Sequence, residues 1–156
     1  MERVLPVFTI EELEQQEELE FPSFSTEAAF DLGLIAGWLI RERELNLCVD
    51  IMIGDDLVFR TKLRDTGTGN NPWLAGKAAV VREFGCSSLL VKERHLFAGT
   101  PFESLDGIDH QALKAHGGSF PIRVNGELVG TITMSGEPDV IDHDTAVEAV
   151  RRFLRN

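Results

Sequence analysis

Along the chain the spacing of hydrophobic positions switches between helical and strand periods, and each switch predicts an element. Thr9 with Glu12 forms a capping box and Phe8 with Leu13 the matching hydrophobic staple, so a first helix begins there. Its body, Glu11–Glu20, is mostly charged, which predicts a helix lying across the surface, and Phe21–Pro22–Ser23 ends it. A second helix is predicted from near Ser25 to Arg43. Ala28, Leu32, Ile35, Ala36 and Leu39 form one apolar stripe on it, and Phe30, Leu34 and Trp38 form another. Two apolar faces on one helix imply deep burial together with a subunit contact.

The period then drops to two. Leu45, Leu47, Val49, Ile51 and Ile53 alternate with Asn46, Cys48, Asp50 and Met52, which is a strand with one apolar face. Gly54–Asp55–Asp56 turns the chain, and Leu57–Arg64 returns as the second arm of a hairpin. After the loop Thr66–Asn71, Asn71 is expected to cap a third helix with Pro72 at its first position and Gly85 as its stop. Ser87–Phe97 reads as a further helix, and a long connection, Gly99–Gly118, follows. Asn125–Gly126, the strongest two-residue hairpin signal, joins Phe120–Val124 to Glu127–Ser135. Simple pairing across that turn sets Ile122 opposite Val129 and Pro121 opposite Gly130. A last helix is predicted from near Asp142, burying Ala146, Val150 and Phe153 and carrying a Glu148–Arg152 pair. The order α-α-β-β-α-(α)-β-β-α predicts an α/β (α+β) fold in which helices flank an antiparallel sheet.

Composition narrows the function classes. At 156 residues and 43% hydrophobic, the chain is expected to form a single domain over 1–156, with 1–22 as an acidic N-terminal helix on its surface. The net charge of −11 argues against nucleic acid as a partner, since phosphate backbones need clustered Lys and Arg. That acidity is uneven, because residues 1–20 hold seven glutamates and one arginine. A local basic pocket elsewhere is therefore compatible with it. Cys48 and Cys86 lie among apolar neighbours without metal-ligand spacing, as reduced cytoplasmic thiols do. The longest apolar run, Leu32–Ile40, is far short of a membrane span and no signal peptide is visible, so a cytoplasmic protein without membrane contact is expected.

Candidate chemistry is sparse. The Gly-rich loop before the third helix fails both nucleotide fingerprints: Asn71 stands where a P-loop needs Gly, and Ala78 where it needs Ser or Thr. Free amides at Gly69, Asn70 and Asn71 remain a weak candidate for holding a small anion, against a plain capped turn. Trp73, Lys77, Val80 and Phe84 share one helical stripe. A lysine on an apolar stripe must reach a partner, a ligand or, by snorkelling, water. His116 precedes Gly117 and Gly118, a backbone that permits close approach of a ligand or simply a tight turn. His143, near the last helix's start, reads as a capping-turn residue beside two ordinary helix-start acids, Asp142 and Asp144. No spacing suits a metal site, and no base–nucleophile pair is visible.

Three segments carry a resemblance to a known family: Asn71–Pro72–Trp73 with Lys77, Ala115–Arg123, and Val129–Pro138 with Asp142–His143. They resemble the YBR-type branch of the GlcG/HbpS-like superfamily, also labelled "haem-degrading domain", over roughly residues 25–156. The resemblance implies a profilin-like fold, homo-oligomers, and a Trp73–Lys77 helix that approaches the His116 segment at a pocket or interface. Haem enters as a cofactor by resemblance alone. The expected function is a homo-oligomeric protein holding a small anionic or tetrapyrrole-like ligand. Trp73, Lys77, His116, Gly117, Gly118, Phe120 and Arg123 are its candidate site. The alternatives are an interaction scaffold with no small ligand and, behind it, an enzyme using His116 or His143 as general base.

Overall fold

The computed structural model describes residues 4–156. Thr9 and Glu12 close the capping box reciprocally at 3.1 Å each, starting α1 (Ile10–Gln16). This helix is shorter than its charged sequence suggests, because Glu17, Glu18 and Glu20 crowd the negative end of the helix dipole. It is also less superficial: Leu13 and Gln16 are buried. Ser25 caps α2 (Thr26–Glu42). The first hairpin, β1 (Cys48–Ile53) and β2 (Asp56–Lys62), leads to α3 (Asn71–Phe84) and α4 (Ser88–Phe97). The second, β3 (Ser119–Val124) and β4 (Glu127–Ser135), leads to α5 (Asp139–Arg155). Two short 3-10 turns, Thr68–Asn70 and Phe102–Ser104, complete the order, which matches the one predicted from the sequence.

The strands form one antiparallel sheet in the order β2-β1-β4-β3, so the two hairpins meet along β1 and β4. The register of the second hairpin departs from simple pairing. Val124 faces Glu127 and Arg123 faces Leu128, but Ile122 then faces Gly130 and Pro121 faces Thr131. Val129 is the extra residue of a bulge, and its carbonyl accepts from Gly54 N–H across the sheet at 2.8 Å. Gly130 sits where a Cβ would lie 2.2 Å from the Met52 carbonyl oxygen, so the strands can close only over glycine.

Two layers cover the sheet. On one face α2 and α5 pack Leu32, Leu39, Ala146 and Val150 against Val49, Ile51, Phe120, Ile122, Ile132 and Met134. The opposite face presents Cys48, Asp50, Ser119, Thr131, Thr133 and Ser135, and these polar residues are buried too. α3 covers β3 and β4, and Ser119 Oγ meets Thr133 Oγ1 at 2.8 Å. A second apolar cluster joins Leu13 of α1 to Val80, Leu89, Leu90 and Phe102. No helix among the described residues is long and apolar enough to cross a membrane.

Candidate functional site

α3 and the first turn of α5 converge over the end of β4. Between them lies an open cleft of about 360 Å³, lined by Asn70, Trp73, Lys77, His116 and the Ser135–Glu137 corner, with Asp139 and Asp142 opposite. α5 begins at Asp139, three residues before the sequence-based start, because Pro138 in an extended conformation launches it. Asp142 therefore sits inside the first turn and points back, accepting from the Glu137 N–H at 3.0 Å through Oδ1.

Lys77 neither snorkels to water nor stands alone. Only 3% exposed, it donates to Asp142 Oδ2 and to the Met134 carbonyl, both at 2.9 Å. One of its three N–H donors is left without an acceptor among the described residues, at the cleft. Burial pushes the Asp142 carboxyl up to about 6, against the pull of the Lys77 ammonium and the Glu137 amide. Gly118, with φ 138°, makes room for this pair: a Cβ there would lie 2.9 Å from Lys77 Nζ and 2.4 Å from the Met134 oxygen.

His116 stands edge-on to Trp73 with ring centroids 5.2 Å apart, and burial lowers its pKa below the usual imidazole value. Its Nε2 is 3.6 Å from Glu103. Lys114 caps the outer side of Trp73 at 4.7 Å from the ring centroid. Asp139 binds Lys92 at 2.8 Å and the Gly117 N–H at 2.9 Å. Burial opposes its charge, yet Lys92 and the amide hold its carboxyl below the usual range. Glu137 accepts from the Asn46 N–H at 2.8 Å.

The structure thus brings Trp73, Lys77, His116 and Asn70 together and sets Gly117 and Gly118 behind them as backbone supports. It does not bring Phe120 or Arg123 there. Phe120 lies in the core on the far face of the sheet, edge-on to His143 at 6.2 Å. Arg123 binds Glu17 at 2.5 Å and the Gly85 carbonyl at 2.8 Å, fastening α1. Of the loop before α3, the Asn70 and Asn71 amides are already donated to the Gly67 and Thr68 carbonyls. Asn71 does not cap α3 but accepts from Lys62, while Asn70 bonds Ser135 Oγ at 3.3 Å. His143 is fully buried, donating from Nε2 to Gln16 Oε1 at 2.7 Å, and burial lowers its pKa to about 4. Reading it as a capping residue missed that contact, and reading Asp142 as an ordinary helix-start acid missed the partner of Lys77. The signal for the latter was in the sequence, since an apolar stripe that carries a lysine needs a buried counter-charge.

An antiparallel four-stranded sheet layered by helices on both faces, with a polar cleft where α3 meets α5, defines a profilin-like α/β protein. The family described as haem degrading protein HbpS-like matches residues 24–151, and the chain belongs to it. A UPF0303 protein of Streptomyces coelicolor is 41% identical over 148 residues, covering 94% of each chain. Among solved structures, the Ybr137w protein superposes with a TM-score of 0.86 at 24% identity, over 96% of this chain and 90% of that one. A PduOC:haem complex superposes with a TM-score of 0.69 at 18% identity, over 83% and 94%. These last two likenesses bear on the fold.

Proposed function

We propose that the protein is a homo-oligomeric small-ligand-binding protein and that the cleft between α3 and α5 is its binding site. The observation that carries this reading is Lys77, buried at the cleft with an N–H donor that no described protein group accepts. A ligand oxygen, from a carboxylate or a carbonyl, would complete it. Trp73, with His116 edge-on beside it, supplies an aromatic wall for the rest of the molecule. The carboxylates that line the cleft are tied down: Asp142 by Lys77 and an amide, Asp139 by Lys92 and an amide, Glu137 by an amide. Anion recognition therefore falls on Lys77 with His116, without Arg123.

Small-molecule sites span about 300–1,000 Å³, so a cleft of about 360 Å³ favours a compact molecule. Its residues do not fit haem. A macrocycle needs an extended apolar slot, whereas this cleft is lined by Glu137, Asp139 and Asp142 with Ser135 and Asn70. The haem complex among the structural neighbours is a property of that protein.

Thermal-shift screening of compact carboxylates, nucleotides and tetrapyrroles tests the reading. Carboxylates should raise the melting temperature, and Trp73→Ala should abolish the rise while leaving the unliganded protein folded. No stabilisation by any class, or a rise that survives Trp73→Ala, sinks it. Lys77→Ala is unsuited to this purpose because it also strands Asp142.

A further inference from the structure

The cleft leaves one conspicuous surface unused. On the outer side of α2, Phe30, Leu34 and Trp38 are 55%, 42% and 64% exposed, although the same helix buries Leu32, Ala36 and Leu39 on its inner side. At about 100° per residue, Glu27, Phe30, Leu34, Trp38 and Arg41 all lie within about 40° of Leu34. Beside this stripe runs an apolar groove of about 210 Å³ between α2 and β2, floored by Phe59 and Thr61. Gly33 lets Phe59 tuck under the helix, since a Cβ there would lie 2.5 Å from its ring. Gly37 opens the groove, with nothing nearer than Thr61 Cγ2 at 3.9 Å from where its Cβ would be. β2 is also an edge strand with no neighbour on its outer side in the sheet.

The order of residues along the stripe identifies what covers it. Counting outward from Leu34, position +4 is Trp38 and −4 is Phe30, while +7 is Arg41 and −7 is Glu27. A second copy of α2 laid antiparallel, with a two-fold axis through Leu34, meets each residue with its mirror position. Trp38 then faces Phe30 of the other copy, Arg41 faces Glu27, and Leu34 meets itself. A two-fold interface repeats every contact, so both aromatic pairs and both opposite-charge pairs form at once. Near-antiparallel packing at about 20° keeps the charged ends within reach of each other. The stripe is self-complementary in shape and in charge, with an acidic end, a basic end and an apolar middle.

We infer that the α2 face is an isologous interface in which two copies of this chain pack α2 against α2 about Leu34. The inference rests on the homo-oligomeric part of the function proposed above and is independent of the cleft, whose lining includes no residue of the α2 stripe. Light scattering coupled to size exclusion on the full chain tests it. The wild type should run as a dimer or an even-numbered assembly. Leu34→Glu sets two carboxylates on the axis and should halve the mass while circular dichroism shows an unchanged fold. Arg41→Glu should weaken assembly roughly tenfold by facing like charges, and Glu27→Arg in the same chain should restore it. A monomeric wild type, an assembly that survives Leu34→Glu, or a double variant no better assembled than Arg41→Glu overturns the interface. Carboxylate binding at Trp73 is read separately by thermal shift, so loss of the interface leaves the cleft standing, and loss of the cleft leaves the interface.

Discussion

Lys77 and Asp142 tie α3 to β4 and α5 through two charges that water barely reaches. Removing one partner leaves the other buried without its counter-charge, so Lys77→Ala is expected to cost about 3–5 kcal/mol in urea denaturation. Adding Asp142→Asn should recover part of that loss. Two buried groups also pull the acid stability in opposite directions. The Asp142 pKa rises from 3.8 to about 6 on folding, so across that window the native state holds more protons and stability falls as pH rises. For His143 the pKa drops from 6.5 to about 4, so the unfolded state holds more protons and stability falls as pH is lowered. The two contributions oppose each other over the same pH range. Asp142→Asn should therefore expose a steep loss of stability between pH 6.5 and 4, measured by denaturant midpoints across that range. A flat profile in that variant would contradict the burial of a neutral His143. Lys77 was legible as a residue that needed a partner. Asp142 was not recognised as that partner, because its role depends on a helix that begins three residues earlier than its apolar pattern suggests.

α1 is held by more than its acidic sequence indicates. Leu13 enters the second core, Gln16 accepts from His143, and Glu17 binds both Arg123 and the Ser87 N–H, at 3.1 Å for the amide. Leu13→Ala should cost about 2–5 kcal/mol by thermal denaturation, a core-like penalty from a helix that looks superficial. A loss below 1 kcal/mol would mean that the helix is not part of the folded core. The capping box, both hairpins, the Gly85 stop with its φ of 77° and the existence of α4 were all readable, because each rests on local chemistry. The bulge at Val129 was not, since it answers a demand from Gly54 in the neighbouring hairpin. Nor was the buried polar face of the sheet. Strand alternation marks Cys48, Thr131 and Thr133 as the non-core side, and only the position of α3 makes that side an interior. Gly118→Ala tests the join between strand and site: its strained φ and the crowding at Lys77 should lower stability and displace the ammonium.

Over the whole molecule, one face of the sheet serves the core and the other serves the site, while the outer side of α2 is left apolar. The net charge of −11 does not make the cleft repulsive to anions, because each lining carboxylate is already bonded, and Lys92 and Lys114 contact the lining residues Asp139 and Trp73. The most direct measurement is an amide and indole chemical-shift map of the isotope-labelled protein titrated with benzoate, a compact planar carboxylate. Shifts should concentrate at the Trp73 indole and at the amides of Gly117, Gly118 and Glu137, with saturation at millimolar concentration or below. Shifts scattered over the surface, or centred on Trp38 and the α2 face, would contradict the cleft as the binding site.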